Sequence, residues 1–527
     1  MTRHAPWLLL VLVAAPAVAK KEITPYLEVS QIVAADLRDD EVLTYSTIAA
    51  GIEAEISNKR TQAQIAYRYE RRIAWDNNTD DGDVHTGLAR IGSEIVPGAL
   101  TIEAGALAAR ARNDVRGSAP GVLIGDPDNI TQVYSAYAGP TFSKNVGELQ
   151  VGAAYRLGYT KVEAESSVLA PGQPRVDNYD DSTQHLATAS VGMKSGTLPF
   201  GWTVSGAYER EDAGQLDQRF EAKNVRGDVV VPVSPTLAVV GGVGYEDIEA
   251  TQRAPLVDGA GVPVTDGNGR FVTDPSSPRL LAYDQDGLYW DVGVLWRPSR
   301  RTELQARAGR RYGSMSYTGS LTYQASEATA YGVSVYDEVQ TFGQLLTDNL
   351  ALLPTAFQTD TNPFNPQFGG CVFGTGGNAG GCLNPAFQSI NSSVFRTRGV
   401  TGIASTQRGP WNWGLGLGYA QRTYKTPVIA GTFNLNGVKD ESWFAQGQVG
   451  YQIDPNSAVD GAVFASLFDP GIAGAEDVLA TGATAAYQRR FGPRLSGIAT
   501  LGLFSNKVEG DEGDLTASAL IGMRLVF

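Results

Sequence analysis

The sequence predicts an all-β chain folded as a single antiparallel transmembrane β-barrel of about 22 strands. Three observations carry that expectation: an export signal at the amino end, two-residue alternation of apolar and polar side chains nearly everywhere else, and a last alternating strand that ends on Phe527.

The first element is the export signal. Met1-Thr2-Arg3-His4 is a basic start, Ala5 to Ala17 is an apolar run, and Ala17-Val18-Ala19 is a small-residue cleavage site before Lys20. That order marks residues 1–19 as a secretory signal peptide, cleaved on export. A membrane-anchoring helix needs roughly 20 apolar residues, and this run is shorter and broken by Pro16. No later stretch approaches that length. An exported chain without a second apolar helix is either soluble or crosses a membrane as a closed sheet, since only closure satisfies every backbone group in lipid. The composition favours the barrel, with 61 Gly, 22 Tyr, 18 Phe and 8 Trp against only 19% charged residues. Strand formers and small residues suit a crowded wall. The net charge of −14 argues against nucleic acid as a partner.

The strands follow from the alternation. Over 60–72, Ala63, Ile65, Tyr67 and Tyr69 share one face while Gln62, Gln64, Arg68, Glu70 and Arg72 share the other, as a strand between two solvents requires. The same pattern places strands near 23–37, 42–57, 60–75, 84–97, 99–113, 129–143, 147–163, 183–196, 201–211, 218–232 and 236–251. It continues near 286–298, 301–313, 316–326, 328–341, 394–408, 411–424, 439–453, 457–468, 476–491, 494–507 and 514–527.

The connections alternate in length. Tight ones such as Val96-Pro97-Gly98, Ser143-Lys144-Asn145-Val146, Arg297-Pro298-Ser299-Arg300, Arg408-Gly409-Pro410 and Phe491-Gly492-Pro493 follow even-numbered strands, where Pro, Gly and Asx residues set the turn dihedrals. The long ones, 114–128, 164–182, 252–285, 342–393 and 425–438, follow odd-numbered strands. Outer-membrane barrels have short periplasmic turns and long extracellular loops, so an even strand count puts both termini in the periplasm. In the last strand Ala517, Ala519, Ile521, Met523, Leu525 and Phe527 share one face. Met523, Leu525 and Phe527 resemble the carboxy-terminal signal read by the bacterial barrel-assembly machinery, an expected partner. Residues 20–527 thus form one domain, embedded in outer-membrane lipid and lipopolysaccharide.

The inward face is expected to carry Arg68, Glu70, Arg72, Asp291, Glu303, Arg307, Arg311, Arg422 and Arg524, with Glu246. One reading is a hydrated wall in which opposite charges pair across strands, each pair worth little to stability. The other is a guanidinium-lined lumen that holds anionic or hydroxyl-rich solutes. Trp290, Trp296, Trp411, Trp413, Tyr419, Phe444 and Tyr487 fall mostly on outward faces, as an aromatic girdle at the membrane interfaces would.

The connection 342–393 joins an apolar segment, Leu345 to Phe357, to a glycine-rich stretch holding Cys371 and Cys382. Beyond the inner membrane those cysteines are expected to form a disulfide, worth roughly 2–3 kcal/mol of restraint on so short a loop. A loop this long and apolar is unsuited to stand free in water. It either folds into the pore as a constriction or packs over the rim as a lid. The acids of other loops, Asp177, Asp180 and Asp181, then Asp258, Asp266 and Asp274, then Glu509, Asp511 and Glu512, serve solvation or bridge divalent cations to lipopolysaccharide.

Catalysis is not expected. His85 follows Asp83, and His185 follows Asp181 and Ser182, but a polar rim supplies such neighbours by chance, and no metal-ligand spacing or cofactor motif stands out. The class of 22-strand transporters driven by TonB carries a plug ahead of its barrel, and so do barrels with amino-terminal assembly or lipopolysaccharide-insertion domains. About three residues separate the cleavage site from the first strand, which leaves no space for any of these.

The stretch Gly287 to Tyr323, with Gly-Leu-Tyr-Trp-Asp-Val-Gly-Val-Leu-Trp-Arg-Pro-Ser, Arg301-Thr302, Arg307, Gly309-Arg310-Arg311-Tyr312-Gly313 and Ser316-Tyr317, resembles the outer-membrane β-barrel family associated with exosortase and exopolysaccharide loci, the PEP-CTERM system. The resemblance covers roughly the middle third and implies a link to surface-polysaccharide production or export, with polysaccharide-export components as partners. It brings no binding residues with it. Three functions stand side by side: an exopolysaccharide channel or scaffold, a general or substrate-selective porin, and a structural or surface-binding barrel.

Overall fold

Strands adjacent in sequence pair antiparallel, and the first pairs with the last. The computed structural model describes residues 20–38, 42–75, 82–112, 130–163, 179–266, 270–359, 362–364, 368, 370–387, 390, 392–428, 435–472, 474–510 and 513–527. The expected signal peptide lies outside them, as do Asp177, Asp511 and Glu512.

The wall starts with β1 (Lys20–Asp36), β2 (Val42–Ser57), β3 (Thr61–Ala74), β4 (Gly82–Val96), β5 (Leu100–Arg112), β6 (Ile130–Val146), β7 (Leu149–Glu163) and β8 (Asp181–Met193). It continues with β9 (Gly201–Ala213), β10 (Gln218–Ser234), β11 (Leu237–Gln252), β12 (Leu280–Ser299), β13 (Thr302–Arg311), β14 (Ser314–Gln324) and β15 (Thr329–Gln340). The chain then leaves the wall to form helix α1 (Phe342–Leu352) and a hairpin of β16 (Cys371–Phe373) and β17 (Gly380–Cys382). It rejoins as β18 (Val394–Arg408), β19 (Trp411–Lys425), β20 (Lys439–Asp454), β21 (Ser457–Asp469), β22 (Val478–Arg490), β23 (Leu495–Val508) and β24 (Asp514–Val526). The result is a closed sheet of 22 strands, the number the alternation predicts.

Closure runs from Tyr26 opposite Val526 to Asp36 opposite Thr516, and the Phe527 N–H donates to the Pro25 carbonyl at 3.0 Å. No edge is left along this seam, which lipid would not tolerate. Two of the departures from the expected boundaries have a local cause. β6 runs on to Val146, because Gly147 with φ 62° takes the left-handed turn position. β12 begins at Leu280, since it pairs with the whole of β11 up to Gln252 across a bulge at Ala250/Thr251. Its first residues contain Asp284-Gln285-Asp286, which lack an apolar face and read as loop.

Apolar side chains on the outward face are exposed along the wall, Leu27, Val29, Ile65, Val243, Leu288, Val463 and Leu501 among them. Aromatic pairs bracket this band. Trp411 lies 4.4 Å from Tyr451 between ring centres near the short-turn rim, and Tyr419 lies 4.4 Å from Trp443 eight residues further along β19. Eight residues of strand are roughly 26 Å long, the scale of an apolar membrane band. Phe444, expected on the outward face, is buried inside against the Cys371–Cys382 hairpin. Its neighbour Trp443 takes the outward position, 55% exposed. Met523, Leu525 and Phe527 all sit exposed on the outward face of β24 and beyond.

Candidate functional site

The largest apolar core lies inside the barrel, where the chain between β15 and β18 meets the inner wall. Thr341 starts α1 with a capping box: its hydroxyl accepts from the Gln344 N–H at 3.2 Å, and the Gln344 amide accepts from the Thr341 N–H at 2.9 Å. Phe342, Leu345, Leu346 and Leu350 recur at helical spacing and are all buried. They pack on Leu88, Leu107, Val133, Tyr137 and Val162 of the inner wall.

Charge on the wall matches the helix dipole. At the positive amino end, the Thr341 hydroxyl donates to the buried Glu211 carboxylate. At the negative carboxyl end, Arg90 donates to the Ala351 carbonyl at 3.0 Å and Arg156 pairs with Asp348. Anions at a helix start and cations at its end each stabilise by about 0.3–1 kcal/mol, more when partly buried. Both guanidinium groups also lie over the Tyr137 ring, at 5.3 Å and 5.8 Å. Burial pushes the Asp348 carboxyl above its usual range, with Arg156 opposing.

After α1 the chain crosses the lumen. The backbone of Phe357 exchanges two hydrogen bonds with the Gln64 amide, at 2.9 Å and 2.8 Å. Asn362 donates to Thr484 at 3.2 Å, and Phe364 meets Phe504 edge to face. The β16–β17 hairpin is closed by the Cys371–Cys382 disulfide. It seats on β19 where Gly414 and Gly416 leave space, since a Cβ at either would strike Phe373 or Cys371. The Cys371 N–H donates to Gln446 at 2.8 Å, and Ser405 donates to the Asn378 carbonyl at 2.9 Å. Gln64, Ser405 and Gly414 all lie within a few residues of the short-turn ends of their strands. The segment therefore runs from the long-loop rim nearly to the opposite one and narrows the barrel interior. It does not form a lid over the rim.

The charged residues expected to face inward are all found in ion pairs. Arg68 bridges Glu70 and Glu28, the latter at 2.9 Å, and Arg72 holds Glu70 at 2.9 Å. Asp291 takes Arg226 at 2.7 Å and Arg307 at 2.9 Å, and Arg307 also reaches Asp228 at 2.8 Å. Arg311 pairs with Glu246 at 2.7 Å. Glu303 meets Arg297 at 2.7 Å, both of them exposed. Arg524 pairs with Glu53 at 2.6 Å and lies 3.5 Å above the Tyr26 ring. Arg422 and Asp440 are fully buried together, and the Tyr424 hydroxyl donates to Asp440 at 2.7 Å.

The two histidines among the described residues sit apart from these groups, each 2.7 Å from a tyrosine hydroxyl: His85 by Tyr67, and His185 by Tyr155. Asp258, Asp266 and Asp274 accept from backbone N–H groups of their own turns. Asp180 pairs with Arg270 at 2.5 Å, and Asp181 is the first residue of β8. Among the described residues no group of His, Cys, Asp and Glu is arranged to hold a metal ion.

Opposite the docked face of α1 a cavity of about 550 Å³ remains. It lies between α1, the β17 strand and the wall strands β14, β15 and β18. Arg156, Asp348, Asn349 and Glu338 give it a polar end, while Leu345, Leu352 and Leu353 supply apolar surface. The Tyr336 hydroxyl on its wall has no hydrogen-bond partner among the described residues. Leu352 is 81% exposed despite facing this interior.

The sequence signals the apolar character of 345–357 but not these partners. Glu211, Arg90 and Arg156, which hold α1, belong to strands far from it in sequence. The Thr341-x-x-Gln344 spacing ahead of Leu345, Leu346 and Leu350 is the signal from which the helix is legible.

No protein-family model matches the chain and no curated protein matches it. Among solved structures, the FrpB iron transporter from Neisseria meningitidis is similar over 96% of this chain and 82% of its own, at 10% identity and a TM-score of 0.44. The siderophore receptor PiuA from Acinetobacter baumannii is similar over 95% and 82%, at 10% identity and a TM-score of 0.43. The open form of the ferric-catecholate import receptor Fiu from E. coli K12 is similar over 95% and 81%, at 9% identity and a TM-score of 0.45. Likeness at this level carries no argument about function.

Proposed function

We propose that this chain is an integral outer-membrane channel whose pore is closed by its own loop. The observation that supports this is the segment after β15, buried along the lumen and held at both helix ends by charged wall residues beside a cavity of about 550 Å³. A barrel with a purely structural role has no need of a matched seat for an internal helix. Apolar outer residues face lipid, the long-loop rim meets lipopolysaccharide, and export proceeds through the signal at 1–19, with Met523, Leu525 and Phe527 presented to the assembly machinery.

The test is conductance in planar bilayers. The wild-type barrel should pass small or intermittent currents. A variant in which residues 343–390 are replaced by a short Gly-Ser linker should pass large, steady ones. Equal currents from both would end the reading.

The solute we favour is a surface polysaccharide, on the strength of the Gly287–Tyr323 resemblance and of the hydroxyl and amide groups on the cavity wall. Deleting the gene should lower secreted polysaccharide. Unchanged secretion with intact conductance would leave a selective porin in its place.

A further inference from the structure

The wall is not equally closed everywhere. β13 and β14 are the shortest wall strands, with 10 and 11 residues, and a tilted strand needs about 9–11 to cross the hydrocarbon layer. Their hairpin turns at Tyr312-Gly313, both with positive φ of 52° and 73°, as a tight hairpin turn requires. Its tip therefore ends near the outer boundary of the membrane while its neighbours continue. β14 pairs with β15 only from Gly319 opposite Val335 to Gln324 opposite Ala330. Across its other edge, β15 stays in register with β18 over its whole length, Thr329 to Gln340.

Above Val335 the two edges therefore face one another without a strand ladder, each with backbone groups that the sheet does not pair. Side chains fill the gap. Arg396 donates to the Tyr312 carbonyl at 3.3 Å and to the Ser314 hydroxyl at 2.7 Å. Arg398 donates to the same hydroxyl at 2.7 Å and to the Met315 carbonyl at 3.3 Å. Asp337 holds Arg396 through two contacts, at 2.6 Å and 2.7 Å, and Arg398 at 3.3 Å. This part of the wall is fastened by side chains in place of a ladder.

The cavity lies directly behind it. Ser320, Leu321 and Thr322 of β14 and the inward residues of β15 from Gly332 to Gln340 form its wall. On the lipid side Met315 and Tyr317 are exposed at 48% and 59%. Inside, Leu352 of the plug is almost bare towards the same space, with the buried Leu345 and Leu353 at its edge, beside the Arg156–Asp348 pair, Asn349 and Glu338. Bare leucine next to hydrogen-bonding groups is complementary to a molecule with an apolar chain and a polar head. Because Arg156 and Asp348 neutralise one another while Glu338 adds an acid to the same end of the cavity, the head that fits is hydroxylated and carries no negative charge.

We propose that the β14–β15 seam is a side port. Through it the acyl chain of an amphiphile with a hydroxylated head passes between the bilayer and the cavity, with the chain along Leu352. The inference starts from the cavity of the proposed conduit but does not require axial conduction. Opening is a swing of β15 away from β14 that releases Arg396 and Arg398 and unzips the paired part of the seam.

The experiment uses the full chain in phosphatidylcholine nanodiscs that contain an alkyl maltoside with a diazirine in its chain. After illumination, adducts are mapped by mass spectrometry. Adducts are expected on Leu345–Leu353 as well as on outer residues such as Tyr317. Ser320 and Ser334 oppose one another across the paired part of the seam, close enough for an engineered disulfide. Oxidised S320C/S334C should lose the helix adducts and keep the outer ones, and mild reduction of the same variant should bring the helix adducts back. Arg396→Gln with Arg398→Gln should raise helix labelling. Helix adducts that persist in the locked variant, or that are absent from wild type, would overturn the side port. Helix labelling without any bilayer current would instead remove the conduit reading and leave the port standing.

Discussion

The Arg422–Asp440 pair shows what single side chains contribute here. Both groups are withdrawn from solvent, and Tyr424 completes the site from the adjacent row. Removing one partner strands a buried charge, which costs about 3–5 kcal/mol, whereas replacing both with apolar residues is often near neutral. Arg422→Ala should lower the urea midpoint of unfolding in lipid vesicles far more than R422L/D440L does. Gly416 offers a second test, because any side chain there meets the disulfide. Gly416→Val should push the β16–β17 hairpin off β19 and raise bilayer conductance while the barrel stays closed. The arginines are legible in the sequence as inward residues because they alternate with apolar ones. Their partners are not. Glu28 and Asp228 meet Arg68 and Arg307 across intervening strands, and Asp440 lies opposite Arg422 only once the register of β19 on β20 is set, which no local pattern encodes. The same limit explains Phe444, since an aromatic beside Trp443 gives no hint of which of the two faces lipid.

Among the elements, strands are legible and the helix is only half so. Lipid on one side forces a two-residue period that survives wherever the strand lies in the membrane, and it fades where β12 rises beyond it. Helix α1 has its own signals, the Thr341 cap and the spacing of its leucines, embedded in a connection whose apolar character dominates. Thr341→Ala removes both the cap and the bond to Glu211 and should cost about 1 kcal/mol of local stability, measured as faster hydrogen exchange across 342–352. Asp348 tunes the same docking. Its carboxyl is raised by burial, so the docked helix binds a proton more readily than an undocked one. Docking is then strongest below the ordinary carboxylate range of about 3.9 and weakens as pH rises through the raised value. Wild-type conductance should climb over that window, and Asp348→Asn should lose that part of the climb.

At the scale of the whole molecule, wall and plug are separable in stability but not in connectivity. The wall closes on itself from β1 to β24, so the barrel lacking 343–390 should keep its heat-resistant compact form on gels while its current increases. The plug, in contrast, is joined to the wall at both ends, leaving after β15 and returning as β18, two strands that are themselves paired. A plug that can never diffuse away faces its seat at a fixed effective concentration, set by chain length alone and of millimolar order or above for short tethers. In the proposed channel, reclosure after an opening is therefore a first-order step whose rate does not depend on how many copies a cell makes.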